Sequence, residues 1–429
     1  MVVKKNRKRI YEKMIKFLSK NIAYNFIAII VSFYSTRVVV NMLGVNDYGF
    51  WISLFAICSW IQFLDGGFGN SIRNSVSKSI SILDFKAVSK TVSNGYIGMG
   101  ILTIASLIIL LMIIVFIPIS KIISIPSNIN IIPYAFILYG FSIIVIFLKI
   151  INKVCFSINR SDLVFINLLI TNSIILLLLY LFKSMHMNPL YVVLYSYSIA
   201  PIIVLVIFSY YVLKNQKLEI SIAFFDIMEL KSLINFGGAF FMIQLSFGFI
   251  LGFLPIFINA IWDGFITAEY QIIQKLLGLL FILSNIILQS KWHSLSLITG
   301  RKQIKKHQLN NILLFFLHFA GVCVIYVFLK EIVKLWIGNS ELIITDGMSL
   351  SVLNLTCSIL FSKFSAIILM SKNIINQQKY ISIIQLLFFL IWSFIVYKFN
   401  ISLVLFINII SIGFYIQGLL GNKQVLSLK

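Results

Sequence analysis

Twelve long apolar runs cross this chain, and its basic residues gather almost only in every second gap between them. The eight cations from Lys4 to Lys20 precede the first run and belong with those that follow runs 2, 4, 6, 8, 10 and 12, giving 27 on one side. The other side holds only five: Lys121, Lys183, Lys330, Lys334 and Lys398. Loops rich in Lys and Arg stay cytoplasmic when helices insert into a bilayer. The 27 to 5 split therefore predicts a multi-pass chain with both termini in the cytoplasm. Arg37, Lys275 and Lys363 are different, because they lie inside apolar runs.

The runs fall at 22–43, 50–64, 96–117, 132–151, 163–182, 190–213, 236–260, 270–289, 312–329, 350–370, 380–397 and 401–421. Most approach the roughly 20 residues that a helix needs to cross the hydrocarbon layer. With 60% hydrophobic residues, 11% charge and a mean hydropathy of +1.01, the chain has no stretch polar enough for a separate soluble domain. The expected fold is an all-α polytopic membrane protein. Its divisions are a basic N-terminus (1–21), helices 1–6 as a first lobe (22–213), a polar connector (214–233), helices 7–12 as a second lobe (234–421) and a tail (422–429).

Composition also excludes functions. A net charge of +22 scattered over short loops marks orientation; nucleic-acid binding needs a continuous basic face. The run after the basic N-terminus is too long for a signal peptide and lacks a small-residue cleavage site, so it reads as an uncleaved helix. Cys58, Cys155, Cys323 and Cys357 have no CxxC spacing, which leaves neither a disulfide framework nor a metal site and suggests small buried hydrophobes. No cofactor is indicated, and His186, His293, His307 and His318 join no catalytic constellation.

The two halves are weakly alike at their first outer turn. Gly44-Val-Asn-Asp47-Tyr48-Gly49 joins helices 1 and 2, while Trp262-Asp263-Gly264 and Ala268-Glu269-Tyr270 join helices 7 and 8. Each sets an acid beside a tyrosine at the head of the next helix, and a long basic inner loop follows both. Repeats of six helices share orientation, so they are related by an axis along the membrane normal. The stretch from Leu43 to Trp51, with Leu64-Asp65-Gly66-Gly67-Phe68-Gly69-Asn70 and Arg73-Asn74, resembles the signature of bacterial O-antigen and capsule repeat-unit flippases. These belong to the multidrug, oligosaccharidyl-lipid and polysaccharide (MOP) exporter superfamily. The motif residues are Gly44, Asp47, Tyr48, Gly49, Asp65, Gly67 and Asn74, and the resemblance extends over the whole chain as twelve helices. It implies a MATE-like arrangement of two six-helix bundles around a cavity that opens alternately to the two sides.

Candidate substrate contacts follow from helix faces. On helix 8, Gln271, Gln274, Lys275, Gly278, Asn285 and Gln289 form a polar stripe, which must face protein or water because an unpaired amide in lipid costs several kcal/mol. Helix 7 places Gln244 and Asn259 with Gly237, Gly248, Gly252 and Pro255, where the proline removes a backbone hydrogen bond and predicts a kink. On helix 1, Arg37 shares a face with Tyr34 and Asn41; Asn25, Ser32 and Thr36 form another. Helix packing for the amides, and snorkelling for Arg37 and Lys275, remain open beside cavity lining. Lys149 and Lys153 on helix 4, with Arg73, are candidates for a cytoplasmic entrance, although orientation alone accounts for basic residues there. Lys363, opposite the Ser351, Asn354, Ser358 and Ser365 face of helix 10, is expected to snorkel.

All thirteen acids fall in loops or at helix ends. An interior with cations and no carboxylates suits an anionic substrate, since phosphate oxygens accept charge-assisted hydrogen bonds from Arg and Lys. The expected function is a flippase, in the bacterial cytoplasmic membrane, for undecaprenyl-pyrophosphate-linked oligosaccharide repeat units. Its partners would be that lipid-linked oligosaccharide, membrane lipid and other polysaccharide assembly proteins. Two alternatives stay open: a proton- or sodium-coupled multidrug antiporter of the same superfamily, disfavoured by the missing interior acids, and a membrane-embedded glycan polymerase, disfavoured by short outer loops.

Overall fold

The computed structural model describes residues 2–61, 67–116, 131–158, 160–290, 301–338, 342–371 and 374–427; some helical side chains, those of Gln244, Asn285 and Gln289 among them, fall outside that description. Among the described residues there are fifteen α-helices and one 3-10 turn, with no strand. The helices are α1 (Val2–Leu43), α2 (Val45–Ile61), α3 (Phe68–Ser81), α4 (Phe85–Phe116), α5 (Ile131–Leu148), α6 (Ile150–Ser157), α7 (Ser161–Ser184) and α8 (Pro189–Asn215). They continue as α9 (Ile227–Ile261), α10 (Gly264–Ser290), α11 (Arg301–Val327), α12 (Leu329–Ile337), α13 (Asp346–Ser371), α14 (Ile375–Phe399) and α15 (Leu403–Ser427). Among the described residues, eleven stretches are long and apolar enough to span a bilayer. The apolar α2, the second run of the sequence, has 17 described residues, and its expected end at Leu64 lies outside them.

Local chemistry sets several boundaries. Gly44 follows α1 with φ of 81°, a left-handed conformation that glycine adopts without a Cβ clash, and its N–H donates to Val40 O at 2.8 Å. Pro189 sits at the start of α8, and the Asn188 side chain before it accepts from Leu190 N at 3.0 Å. The run expected as helix 4 is broken at Lys149 into α5 and α6. The stretch after helix 9, expected as an outer loop, begins as the short helix α12: Leu329, Val333 and Ile337 are buried at a spacing of four while Lys330 and Lys334 point out.

The chain gathers into two compact units. One comprises α1, α3 to α8 and the start of α9; the other comprises α2 from Val45 to Trp60, the remainder of α9 and α10 to α15. The change-over inside α9 lies between Gly238 and Ala239. In the first unit, Phe68, Ile72, Val76, Val92, Ile151 and Val154 are central members of one apolar core.

The polar connector is bound to that first unit rather than left as a loose linker. Asn94 on α4 donates to Phe224 O at 2.9 Å, and its Oδ1 accepts from Asp226 N at 2.9 Å. Thr91 donates to Glu229 Oε1 at 2.5 Å, Ser93 accepts from Ser221 N at 3.1 Å, and Lys90 pairs with Asp226 at 2.7 Å. These bonds extend α4 eleven residues below its expected start at Tyr96, because the polar segment 85–95 gains partners for its side chains. In the second unit, Leu288, Leu360, Phe364 and Ile368 are core residues, and α13 is its most buried span.

Candidate functional site

The motif between α1 and α3 turns out to carry backbone roles. Gly44 and Gly67 both have positive φ, and Gly67 starts α3, its carbonyl accepting from Asn70 N at 3.0 Å. Gly49 on α2 abuts the backbone carbonyl of Gly264 at the head of α10, so a Cβ there would overlap that oxygen. A Cβ on Gly264 would in turn run into the backbone and side-chain oxygens of Asn46. The two outer turns picked out as repeats thus touch each other within the second unit. Ser53, one turn beyond Gly49, donates to Pro255 O on α9 at 3.2 Å, and α9 continues as a helix through Pro255. Tyr48 and Tyr270 are both buried, and Asp47 lies in the first turn of α2, where a negative charge suits the helix dipole. Asn74 is exposed, and Asp65 lies outside the described residues.

The acids of the second turn are also structural. Asp263 caps α10 by accepting from Ile266 N at 2.7 Å, and Glu269 Oε1 accepts from both Thr345 N and Thr345 Oγ1 at 2.7 Å, holding the start of α13.

On α1 the structure separates two candidates that the sequence grouped. Arg37 is exposed, on a stripe with Tyr34, whose hydroxyl lies 3.0 Å from that of Tyr180 on α7. Asn25 is buried, on the side of α1 where Asn21 donates to Ser161 Oγ at 3.0 Å and Ala28 O accepts from Asn172 on α7 at 2.9 Å. Asn25 therefore sits in the α1–α7 packing seam, away from the face that carries Arg37. One side-chain pair and one side-chain-to-backbone bond thus join α1 to α7 across the seam.

On α10, Gln271, Gln274, Lys275 and Gly278 are all partly exposed, while Ile272, Ile273, Leu276 and Leu277 between them are buried. These four members of the expected stripe share one face of the helix. Gln244 on α9, and Asn285 and Gln289 on α10, have side chains outside the described ones.

The entrance candidates meet where α3 packs on α6. Lys153 donates to Asn70 Oδ1 at 3.3 Å, the Arg73 guanidinium stands 5.1 Å from the Phe156 ring centroid, and Ser157 donates to Arg73 O at 3.0 Å. Lys149 lies at the break between α5 and α6, one turn before Lys153. Arg160, exposed nearby, is paired with Asp162 at 3.1 Å.

Lys363 does not snorkel. Its Nζ lies 4.7 Å from the ring centroid of Phe247 on α9 and 4.5 Å from that of Phe281 on α10. It stands eight residues before the end of α13 at Ser371, about 12 Å along the axis, farther than its four-carbon stem extends. Placing Lys at the centre of a spanning helix costs about 2.5–3.5 kcal/mol, and each cation–π contact returns from about 0.5–1 kcal/mol when exposed to roughly 2 when desolvated, so two rings offset much of that cost. Periodicity showed that Lys363 lies off the serine face of α13, but the two rings come from other helices. Also unseen in the sequence was a polar chain on that serine face: Tyr415 donates to Asn354 Oδ1 at 3.3 Å, Asn354 to Asn408 Oδ1 at 2.9 Å, and Asn408 to Ser351 Oγ at 3.0 Å. Asn408 and Tyr415 stand seven residues apart on α15, a helical repeat that could have marked them.

No protein-family model matches the chain, and no curated protein matches it in sequence. Solved structures do. The inward-facing conformation of a multidrug resistance MATE family transporter of the MOP superfamily aligns with a TM-score of 0.75 at 15% identity, covering 93% of this chain and 95% of that one. MATE in complex with MaL6 aligns at 0.70 and 14%, covering 96% of each. A MOP superfamily transporter from Pyrococcus furiosus, described as having a reverse polarity of binding pocket that suggests a different function, aligns at 0.66 and 15%, covering 96% of each. The chain is thus a multi-pass membrane protein with the fold of the MATE transporters of the MOP superfamily.

Proposed function

We propose that this protein is a flippase that moves oligosaccharide repeat units linked to undecaprenyl pyrophosphate from the cytoplasmic to the outer leaflet of a bacterial cytoplasmic membrane, by alternating access. One observation carries the reading: Arg37, Lys275 and Lys363 lie within apolar runs, whereas no acid does. Cationic interiors attract phosphate oxygens and repel cationic drugs. The amides on the partly exposed face of α10 supply hydrogen-bonding groups for sugar hydroxyls, and the exposed Arg37 supplies a fork that matches phosphate. Lys149, Lys153 and Arg73 would draw the headgroup in from the cytoplasmic side. The polyprenyl tail stays in lipid, so no covalent chemistry is required. The resemblance of the α1–α3 segment to repeat-unit flippases agrees with this substrate class.

The names of the structural neighbours favour a second reading, multidrug antiport. Complementation separates the two. A strain lacking its own repeat-unit flippase, supplied with this chain and a panel of repeat-unit structures, should recover surface polysaccharide for at least one of them. Protection against cationic dyes with no glycan rescue would establish the antiporter instead.

A further inference from the structure

We propose that Lys363 is an anion-binding residue of the second unit, presenting its ammonium to a phosphate-bearing headgroup while Phe247 and Phe281 hold it in position. The inference rests on the anionic-substrate reading above and names a residue of that site which periodicity alone assigned to the membrane surface. Three features of its surroundings support it. First, aromatic faces stabilise a cation through the ring quadrupole without cancelling its charge, whereas a carboxylate partner would neutralise it. Among the described residues no carboxylate lies within ion-pairing distance of Lys363, so no fixed anion competes for its N–H donors. Second, Lys363 is only partly buried among its neighbours in the second unit. Third, Phe281 lies seven residues beyond Gln274 on the same side of α10, about 10 Å along the axis. The lysine clamp therefore continues the amide face, an arrangement suited to a molecule whose phosphate adjoins its sugars.

The test uses the purified full-length chain in nanodiscs of zwitterionic lipid, with radiolabelled farnesyl pyrophosphate as the anionic probe and farnesol as its uncharged counterpart. Wild type should prefer the pyrophosphate. Lys363→Met should weaken pyrophosphate binding roughly tenfold, the loss of one charge-assisted hydrogen bond, and leave farnesol binding unchanged, while Lys363→Arg should stay within about threefold of wild type. If Lys363→Met does not fold, the unmodified protein serves: farnesyl pyrophosphate, but not farnesol, should protect Lys363 from a membrane-permeant amine-acylating reagent, read by mass spectrometry. A wild type without preference for the pyrophosphate overturns the anionic-substrate reading and the Lys363 site with it. Preference in wild type that survives in Lys363→Met, or no protection of Lys363 by the pyrophosphate, overturns the Lys363 site alone.

Discussion

Replacing Gly49 by alanine should destabilise the second unit more than any other glycine-to-alanine change in an α-helix of that unit whose neighbour is only a flexible side chain. The added methyl overlaps the carbonyl oxygen of Gly264, with the carbonyl carbon and Cα of the same residue close behind. A side-chain tip could rotate away, but here backbone must move, so the cost belongs at the upper end of the overpacking range, about 3 kcal/mol. Gly140 in α5 supplies the opposite case: an added Cβ meets nothing within 4 Å, and alanine should gain about 0.5–1 kcal/mol from its better helix propensity. Thermal unfolding of the detergent-purified proteins, followed by fluorescence-detected size exclusion, should rank Gly140→Ala at or above wild type and Gly49→Ala clearly below. Gly264→Ala should also melt low, and the double variant should fall short of the sum of the two because both force apart the same close approach. A Gly49→Ala protein that melts with wild type would refute the close approach of α2 to the head of α10.

The connector clamp predicts that Asn94→Ala, which leaves Phe224 O and Asp226 N without their partner, raises tryptic cleavage after Lys217 and Lys231 more than Lys90→Met does, because the Lys90 pair is exposed to solvent. Hydrogen bonding by Lys90 holds the Asp226 carboxyl below its ordinary value of 3.8; that contribution is full above the ordinary value and is lost only as pH falls through the lowered one. Protection from a protease active across the range should therefore be constant between roughly pH 8 and pH 5. Reporter fusions after Lys217, Lys306 and Lys429 should all behave as cytoplasmic, and an external signal at any of them would reverse the topology. At Arg37, lysine should retain part of the transport and glutamine should lose most of it at matched expression, since lysine keeps the charge and glutamine does not.

Apolar run length and basic-loop alternation made the helices legible, because bilayer thickness and insertion act on each segment separately. The stripe of Gln271, Gln274 and Lys275 was legible for a similar reason, since a single helix fixes which residues share a face. What periodicity missed depends on neighbours. Arg37 and Asn25 both stood out as polar residues in one run, yet only packing on α7 tells the exposed one from the buried one. Lys363 sits where a snorkelling lysine is plausible until Phe247 and Phe281 arrive from α9 and α10. Gly49 was recognised as part of a motif, but its reason, the carbonyl of Gly264 more than 200 residues away, is a tertiary contact. The connector looked like a linker because its partners on α4 lie in a segment too polar to count as membrane span.

Translocation in proteoliposomes tests the central claim most directly. The purified chain would be reconstituted with a fluorescent undecaprenyl-pyrophosphate oligosaccharide in one set of vesicles and a cationic dye in another, with protein-free vesicles as the baseline. The account predicts that the glycan lipid crosses to the opposite leaflet, where an added glycosidase cuts it, while the dye remains where it was loaded. Dye movement without glycan movement, in protein that is folded and correctly inserted, would contradict it.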